Sequence, residues 1–269
     1  MISVIFIILI GLLEHHQVRD TLELRRVEND GYVELVLINR NSYPVTFELS
    51  ADIRNLRSSR RLPLIDFIKG RKQKVVLRLD VVDRTEEYSY RTNYKWYLGN
   101  IFARPDKNHL YHLPFKKGER YRLDQGYNGS FSHTGDGRYS LDFFMEEGTP
   151  IHAARAGMVV DIESKYKKGG TDDSFRTRAN HVTVLHDDGT LADYSHLKFD
   201  GVVVEDGQRV RVGQLLGYSG ATGFVTGPHL HFTVKKAKRG GGFISIPVKF
   251  TTQQGIVEEL EEGKYYLGY

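Results

Sequence analysis

Cysteine is absent from all 269 residues. That excludes a disulfide framework and any thiolate metal site. A metal bound by this chain must therefore be held by His, Asp or Glu. Long helical patterns are scarce too. One nearly continuous apolar run, residues 4–13, falls well short of the roughly 20 residues a membrane-spanning helix needs. It has the length of a signal-peptide core, yet no Lys or Arg precedes it and no small-x-small cleavage site follows before Glu14-His15-His16. Residues 1–16 are read as a signal peptide or a retained N-terminal anchor, which predicts an exported protein of the periplasm or cell envelope. A buried first strand is the alternative.

What the chain has in quantity is glycine and aromatics: 27 Gly, 16 Tyr and 14 Phe. Together with the scarcity of helical periodicity, this predicts a mostly β protein. An apolar share of 40% against 27% charged suits a folded chain of one large or two modest domains. The formal charge of +4 suits an anionic polymer surface without naming a partner, and nothing assigns a nucleic acid.

Across residues 17–103 short runs alternate with period two. Val45, Phe47 and Leu49 fall on one face, and Tyr88, Tyr90, Thr92, Tyr94 and Trp96 alternate further on. Turns such as Glu28-Asn29-Asp30-Gly31 separate the runs. The pattern predicts an N-terminal β-sandwich with no catalytic spacing, and Arg57, Arg60 and Arg61 read as a solvated loop. Residues 104–110 read as a linker, with His109 and His112 close by and outside any motif.

From residue 111 to 269 the texture changes to short strands punctuated by glycine. Val202-Val203-Val204-Glu205-Asp206-Gly207 and Val210-Arg211-Val212-Gly213 repeat a strand and Gly-turn unit. Such hairpins build β-rolls and flattened barrels, including the lipoyl- and biotin-carrier folds. A carrier needs an exposed lysine in its hairpin, and these turns hold none. Residues 165–179, polar and glycine-bearing, read as a mobile surface loop.

Three places carry metal-type residues. One is His133 with Asp136 and Asp142, the second Tyr194-Ser195-His196-Leu197, the third Gly227-Pro228-His229-Leu230-His231-Phe232. On a strand His229 and His231 point the same way. Two His and one carboxylate complete a catalytic zinc site with one open position, and two further His can move a proton and steady an oxyanion.

In these segments the chain resembles the lysostaphin-like (LytM-type) zinc metalloendopeptidases, which cut peptide cross-links and bridges in bacterial cell walls. The resemblance also takes in Asp142-Phe143, Gly148-Thr149-Pro150-Ile151, Ala156-Gly157-Met158-Val159 and Asn180-His181-Val182, and covers roughly residues 111–250. It implies a β-roll of the duplicated hybrid motif type with a zinc groove. It further implies Zn2+ held by His133, Asp142 and His231, and His196 with His229 as the catalytic pair. His196 is expected from a neighbouring strand, with Tyr194 beside it on the same face. The implied partner is the peptide stem of peptidoglycan, and the N-terminus allows peripheral membrane association.

One departure concerns the gap between His133 and Asp142, which is longer than the family's compact His-x-x-x-Asp and leaves Asp136 as a rival ligand. Asp142 is preferred because Phe143 and Gly148-Thr149-Pro150 match the family frame, whereas Asp136, between two glycines, suits a turn. His152 and His186 read as structural or solvent-facing, and His181 follows Asn180 in a segment where the family places a groove-lining strand, with substrate contact the lesser reading. Non-catalytic relatives lose ligands, and this chain has lost none. The rival functions are a non-cutting cell-wall binding or amidase-activating module, and a peptidase acting on a secreted protein.

Overall fold

The computed structural model describes residues 22–268, so the expected signal or anchor at 1–16 lies outside the described residues. Among the described residues the only helical pieces are two three-residue 3₁₀ turns, Gly135–Gly137 and Asp173–Phe175. The rest is strand, turn and loop, a mostly β fold as the composition predicts. The chain divides into two compact units between Ile101 and Phe102.

The first unit holds two antiparallel sheets. One orders its strands Leu22–Asn29, Tyr32–Asn39, Lys72–Val81, Leu56–Ser58; the other orders Leu64–Ile68, Val45–Arg54, Ser89–Leu98. Period-two patterning decides which face is buried. Val33, Leu35 and Leu37 are shut from solvent in the first sheet, and Val45, Phe47 and Leu49 in the second.

The second unit is built on a nine-stranded antiparallel sheet. Its strands run Arg209–Val210, Gly157–Glu163, His181–Leu185, Leu191–Ser195, His229–Ala237, Ser140–Phe144, Arg120–Gln125 and Tyr265–Leu267, with Phe243–Ser245 also paired to His229–Ala237. A smaller sheet, Pro150–His152, Leu215–Ser219 and Leu197–Val202, adds Ile151, Leu216 and Leu197 to the same core. One face of the large sheet is apolar: Leu141, Phe143, Val182, Val184, Tyr194, Leu230 and Phe232 are all buried there. Burying a side chain such as Phe232 is worth about 1.5–3 kcal/mol, so a one-residue register slip would be heavily penalised. The register therefore fixes what the opposite face presents.

Residues 104–110 are tied to this second unit by backbone bonding. Asp106 N–H donates to Asp188 Oδ2 at 3.0 Å, and Leu110–Tyr111 pairs in parallel with Lys249–Thr252.

Candidate metal centre

Leu230 and Phe232 enter the core, so His229, His231 and Thr233 emerge on the other face of their strand. Across that face the register forms a row. Gln125 lies opposite Asp142, Asp142 opposite His231, His231 opposite Ser195, and Ser195 opposite His181. His133 joins from the loop that follows Arg120–Gln125. His133, Asp142 and His231 each offer a ligand atom, and these atoms lie within 4.8 Å of one another. His133 Nε2 is 3.2 Å from Asp142 Oδ2, and His231 Nδ1 is 2.8 Å from Asp142 Oδ1.

The hydrogen bonds test whether a cation fits there. His133 Nδ1 lies 2.7 Å from the Gly126 carbonyl, which can only accept, so the ring proton sits on Nδ1. His133 Nε2 is then a bare lone pair, fully buried and without a hydrogen-bond partner, and it faces a carboxylate oxygen. Two electron-rich atoms held together in a buried site are reconciled by a cation between them. Gln125 Nε2 donates to Asp142 Oδ2 at 3.0 Å, and Gln125 Oε1 accepts from Phe131 N–H and Ser132 N–H. One glutamine thus links a candidate ligand to the loop that carries another.

His196 and His229 complete the cluster. Their ring centroids are 4.6 Å apart, and His196 is 5.7 Å from His231. His196 follows the strand Leu191–Ser195 with a left-handed φ of 66°. A non-glycine residue holds that backbone at some cost, and such positions cluster at functional sites. The turn breaks strand alternation and brings the ring to the metal-site face. Tyr194 does not accompany it. Tyr194 is buried in the core, where its hydroxyl accepts from Ala154 N–H at 2.8 Å.

His196 Nδ1 donates to the Thr222 carbonyl at 2.7 Å, and His229 Nδ1 to the Gly227 carbonyl at 2.9 Å. Each ring therefore keeps Nε2 as an acceptor, and His229 Nε2 is 3.9 Å from Asp142 Oδ1. Burial, with the neighbouring imidazoles, pushes His196 down to about 3, and burial lowers His229 as well. Both rings are neutral at physiological pH.

Asp136 sits in the Gly135–Gly137 turn, outside the cluster, and pairs with Lys238. His181 Nε2 lies 3.0 Å from Asp161 Oδ2, one strand beyond Ser195 on the metal-site face. His186 is 2% exposed and packs edge-on against Tyr111; His109 meets the same tyrosine.

The 165–179 segment differs from the mobile loop its composition suggests. Gly169–Gly170 pairs in parallel with Gly223–Phe224, and Asn180 exchanges hydrogen bonds with both backbone groups of Tyr166. The reason is close backbone approach: a Cβ on Gly169 would lie 2.2 Å from the Ala221 carbonyl oxygen. Arg176 lies over the Phe224 ring at 4.0 Å, and Phe131 stacks on the same ring. Sequence patterning does not reveal Gln125, Thr222, Phe131 or Phe224 at this site, because only register and loop docking bring them there.

A His/Asp/His cluster beside two neutral imidazoles on one face of an antiparallel sheet defines a metal-binding β domain. Residues 136–241, inside the second unit, match the model of Peptidase family M23, and the second unit is similar to the lysostaphin-like proteins. The glycyl-glycine endopeptidase ALE-1 of Staphylococcus capitis is 39% identical over 100 residues, 36% of this chain and 24% of its own length. Lysostaphin of Staphylococcus staphylolyticus is 36% identical over 120 residues, 44% of this chain and 22% of its own. The peptidoglycan DD-endopeptidase ShyA of Vibrio cholerae is 37% identical over 91 residues, 34% of this chain and 18% of its own. The match thus spans about a quarter or less of these relatives. The solved structure of lysostaphin from Staphylococcus simulans is 32% identical, covering 43% of this chain and 42% of that one, with a TM-score of 0.33. The His133, Asp142 and His231 donor set suits a zinc ion with one open position.

Proposed function

We propose that the second unit is a zinc metalloendopeptidase that hydrolyses peptide cross-links or bridges of bacterial peptidoglycan. The observation that carries this reading is the placement of two neutral acceptor imidazoles, His196 and His229, beside the intact His133, Asp142 and His231 set. The activities named for two of the relatives, a glycyl-glycine endopeptidase and a peptidoglycan DD-endopeptidase, support the substrate class.

His133, Asp142 and His231 would hold the ion. Zinc bound there supplies Lewis-acid polarisation of the peptide carbonyl and lowers the pKa of the attacking water. The chain's own residues then handle the proton. With Nδ1 of His196 and His229 committed to carbonyls, either Nε2 can accept the proton that water gives up on attack. The ring that takes it becomes an Nε2–H donor. It can steady the developing oxyanion and then return the proton to the leaving amine. Work on a cell-wall polymer would require the protein to act outside the cytoplasm, and the apolar run at 4–13 is the element that would export or anchor it.

Purified sacculi incubated with the zinc-loaded protein should release muropeptides with newly cut peptide stems or bridges, read by mass spectrometry. Chelation should stop the release, and added zinc should restore it. An unchanged muropeptide profile would overturn the assignment, and the masses of the products would name the bond.

A further inference from the structure

We propose that a two-hydroxyl relay, Thr233 to Ser140, positions His231 for the metal by fixing which of its nitrogens carries the proton. The inference rests on the zinc reading above and goes beyond the ligands themselves. Ser140 lies opposite Thr233, two residues along each strand from the Asp142 and His231 pair, so all four side chains share one face. Ser140 is 1% exposed and Thr233 6%. No bulk water competes for their hydroxyls.

The direction of the relay is set at its far end. Ser140 Oγ lies 2.7 Å from the Gly137 carbonyl, which can only accept, so the Ser140 proton is committed there. Thr233 Oγ1 lies 2.7 Å from Ser140 Oγ and donates to it. Thr233 Oγ1 then has only lone pairs to offer His231 Nε2 at 3.0 Å. An N–H on Nε2 satisfies that contact, whereas a bare Nε2 would set lone pair against lone pair in a buried place. With the proton on Nε2, Nδ1 is the free donor atom, and Nδ1 is the nitrogen that faces Asp142 Oδ1 at 2.8 Å. Ser140 and Gly137 both belong to the stretch between His133 and Asp142. The segment that separates two ligands therefore also orients the third.

The test compares zinc affinity, by competition with a chromogenic chelator, in the wild type, Thr233→Val, Thr233→Ser and Ser140→Ala. Loss of a partner that orients a metal-ligating His typically costs about 10–100-fold in affinity, and that is the loss expected for Thr233→Val. Thr233→Ser, which restores the hydroxyl, should return to near wild-type affinity, and Ser140→Ala should weaken binding in the same direction as Thr233→Val. In the zinc-loaded wild type the His231 Nε2 proton should exchange slowly by NMR, and in Thr233→Val rapidly. Wild-type affinity in Thr233→Val, or Thr233→Ser as weak as Thr233→Val, would overturn the relay while leaving the zinc site standing. A wild-type protein that binds no zinc would overturn the metal reading and the relay together. If Thr233→Val does not fold, Ser140→Ala decides: wild-type affinity together with slow Nε2 proton exchange in that variant would equally overturn the relay.

Discussion

The rings of His196 and His229 lie 4.6 Å apart, centroid to centroid, inclined at 52°. Each reaches that position by a separate device: His229 by strand alternation, His196 by a left-handed backbone turn at the end of a neighbouring strand. Each is held through Nδ1 by a backbone carbonyl of the segment 222–227, so one loop orients both.

His196→Ala and His229→Ala should each retain about one zinc per chain, because neither ring belongs to the His133, Asp142 and His231 set. Turnover should fall about 10²–10⁴-fold, the usual cost of losing a general base or an oxyanion donor. Elemental analysis and muropeptide release, measured on the same preparations, check both halves. His196→Ala with wild-type turnover would remove that ring from the chemistry.

Asp136→Ala should change neither zinc content nor turnover. It removes an ion pair with Lys238 whose side chains are 52% and 40% exposed, and such pairs are worth about 0–1 kcal/mol. Asp142→Ala should lose the metal, since it takes the shared carboxylate from between His133 and His231. Zinc content of the two variants reads the contrast directly.

Much of this architecture is legible from local pattern. Leu230 and Phe232 are apolar enough to fix the register of their strand, and His229 and His231 follow onto the opposite face. Asp142 is recoverable in the same way, because Leu141 and Phe143 pin it between two core residues. Local pattern fails where backbone geometry or pairing partners decide. Period two places His196 with Tyr194, yet a single left-handed residue parts them. Polar composition makes 165–179 look unattached, yet Gly169 admits a neighbouring backbone, and Gly169–Gly170 pairs with Gly223–Phe224 and docks the segment. Ser140 and Thr233 carry no motif, and only the antiparallel register brings their hydroxyls together.

Acid should destabilise the second unit through a histidine outside the metal cluster. His186 is buried, its Nδ1 donates to the Ala156 carbonyl at 2.9 Å, and its Nε2 has no hydrogen-bond partner. Burial pushes its pKa down to about 4 from an ordinary value of 6.5. The folded state therefore binds fewer protons than the unfolded state. The contribution is complete above pH 6.5 and is lost as pH falls through the window down to about 4. At about pH 5 the loss is on the order of 2 kcal/mol. Urea midpoints at about pH 7.5 and about pH 5 should differ more for the wild type than for His186→Gln, which has no group to protonate in that window. An equal drop in both proteins would place the acid sensitivity elsewhere.

Phe131 and Phe224 stack with centroids 6.1 Å apart and planes within 18° of parallel. Phe131 lies two residues before His133, and its backbone N–H is held by Gln125 Oε1 at 3.1 Å. Phe224 lies two residues after Thr222, whose carbonyl orients His196. The stack therefore ties the loop bearing one candidate ligand to the loop that aims one candidate proton acceptor. Arg176 adds a cation–π contact to the same Phe224 ring. An aromatic pair contributes about 0.5–1.5 kcal/mol beyond its burial and an exposed cation–π contact about 0.5–1 kcal/mol, enough to hold two loops in register but too little to decide folding. Phe224→Ala should thus leave zinc content and thermal stability near wild type and lower turnover about tenfold. A displacement near 1 Å can cost up to about 10²-fold in rate. Phe224→Tyr keeps the ring and should keep the rate. Turnover on cross-linked peptidoglycan, measured for both variants at full zinc occupancy, tests the tie. Full activity in Phe224→Ala would show that the two loops hold their places without it.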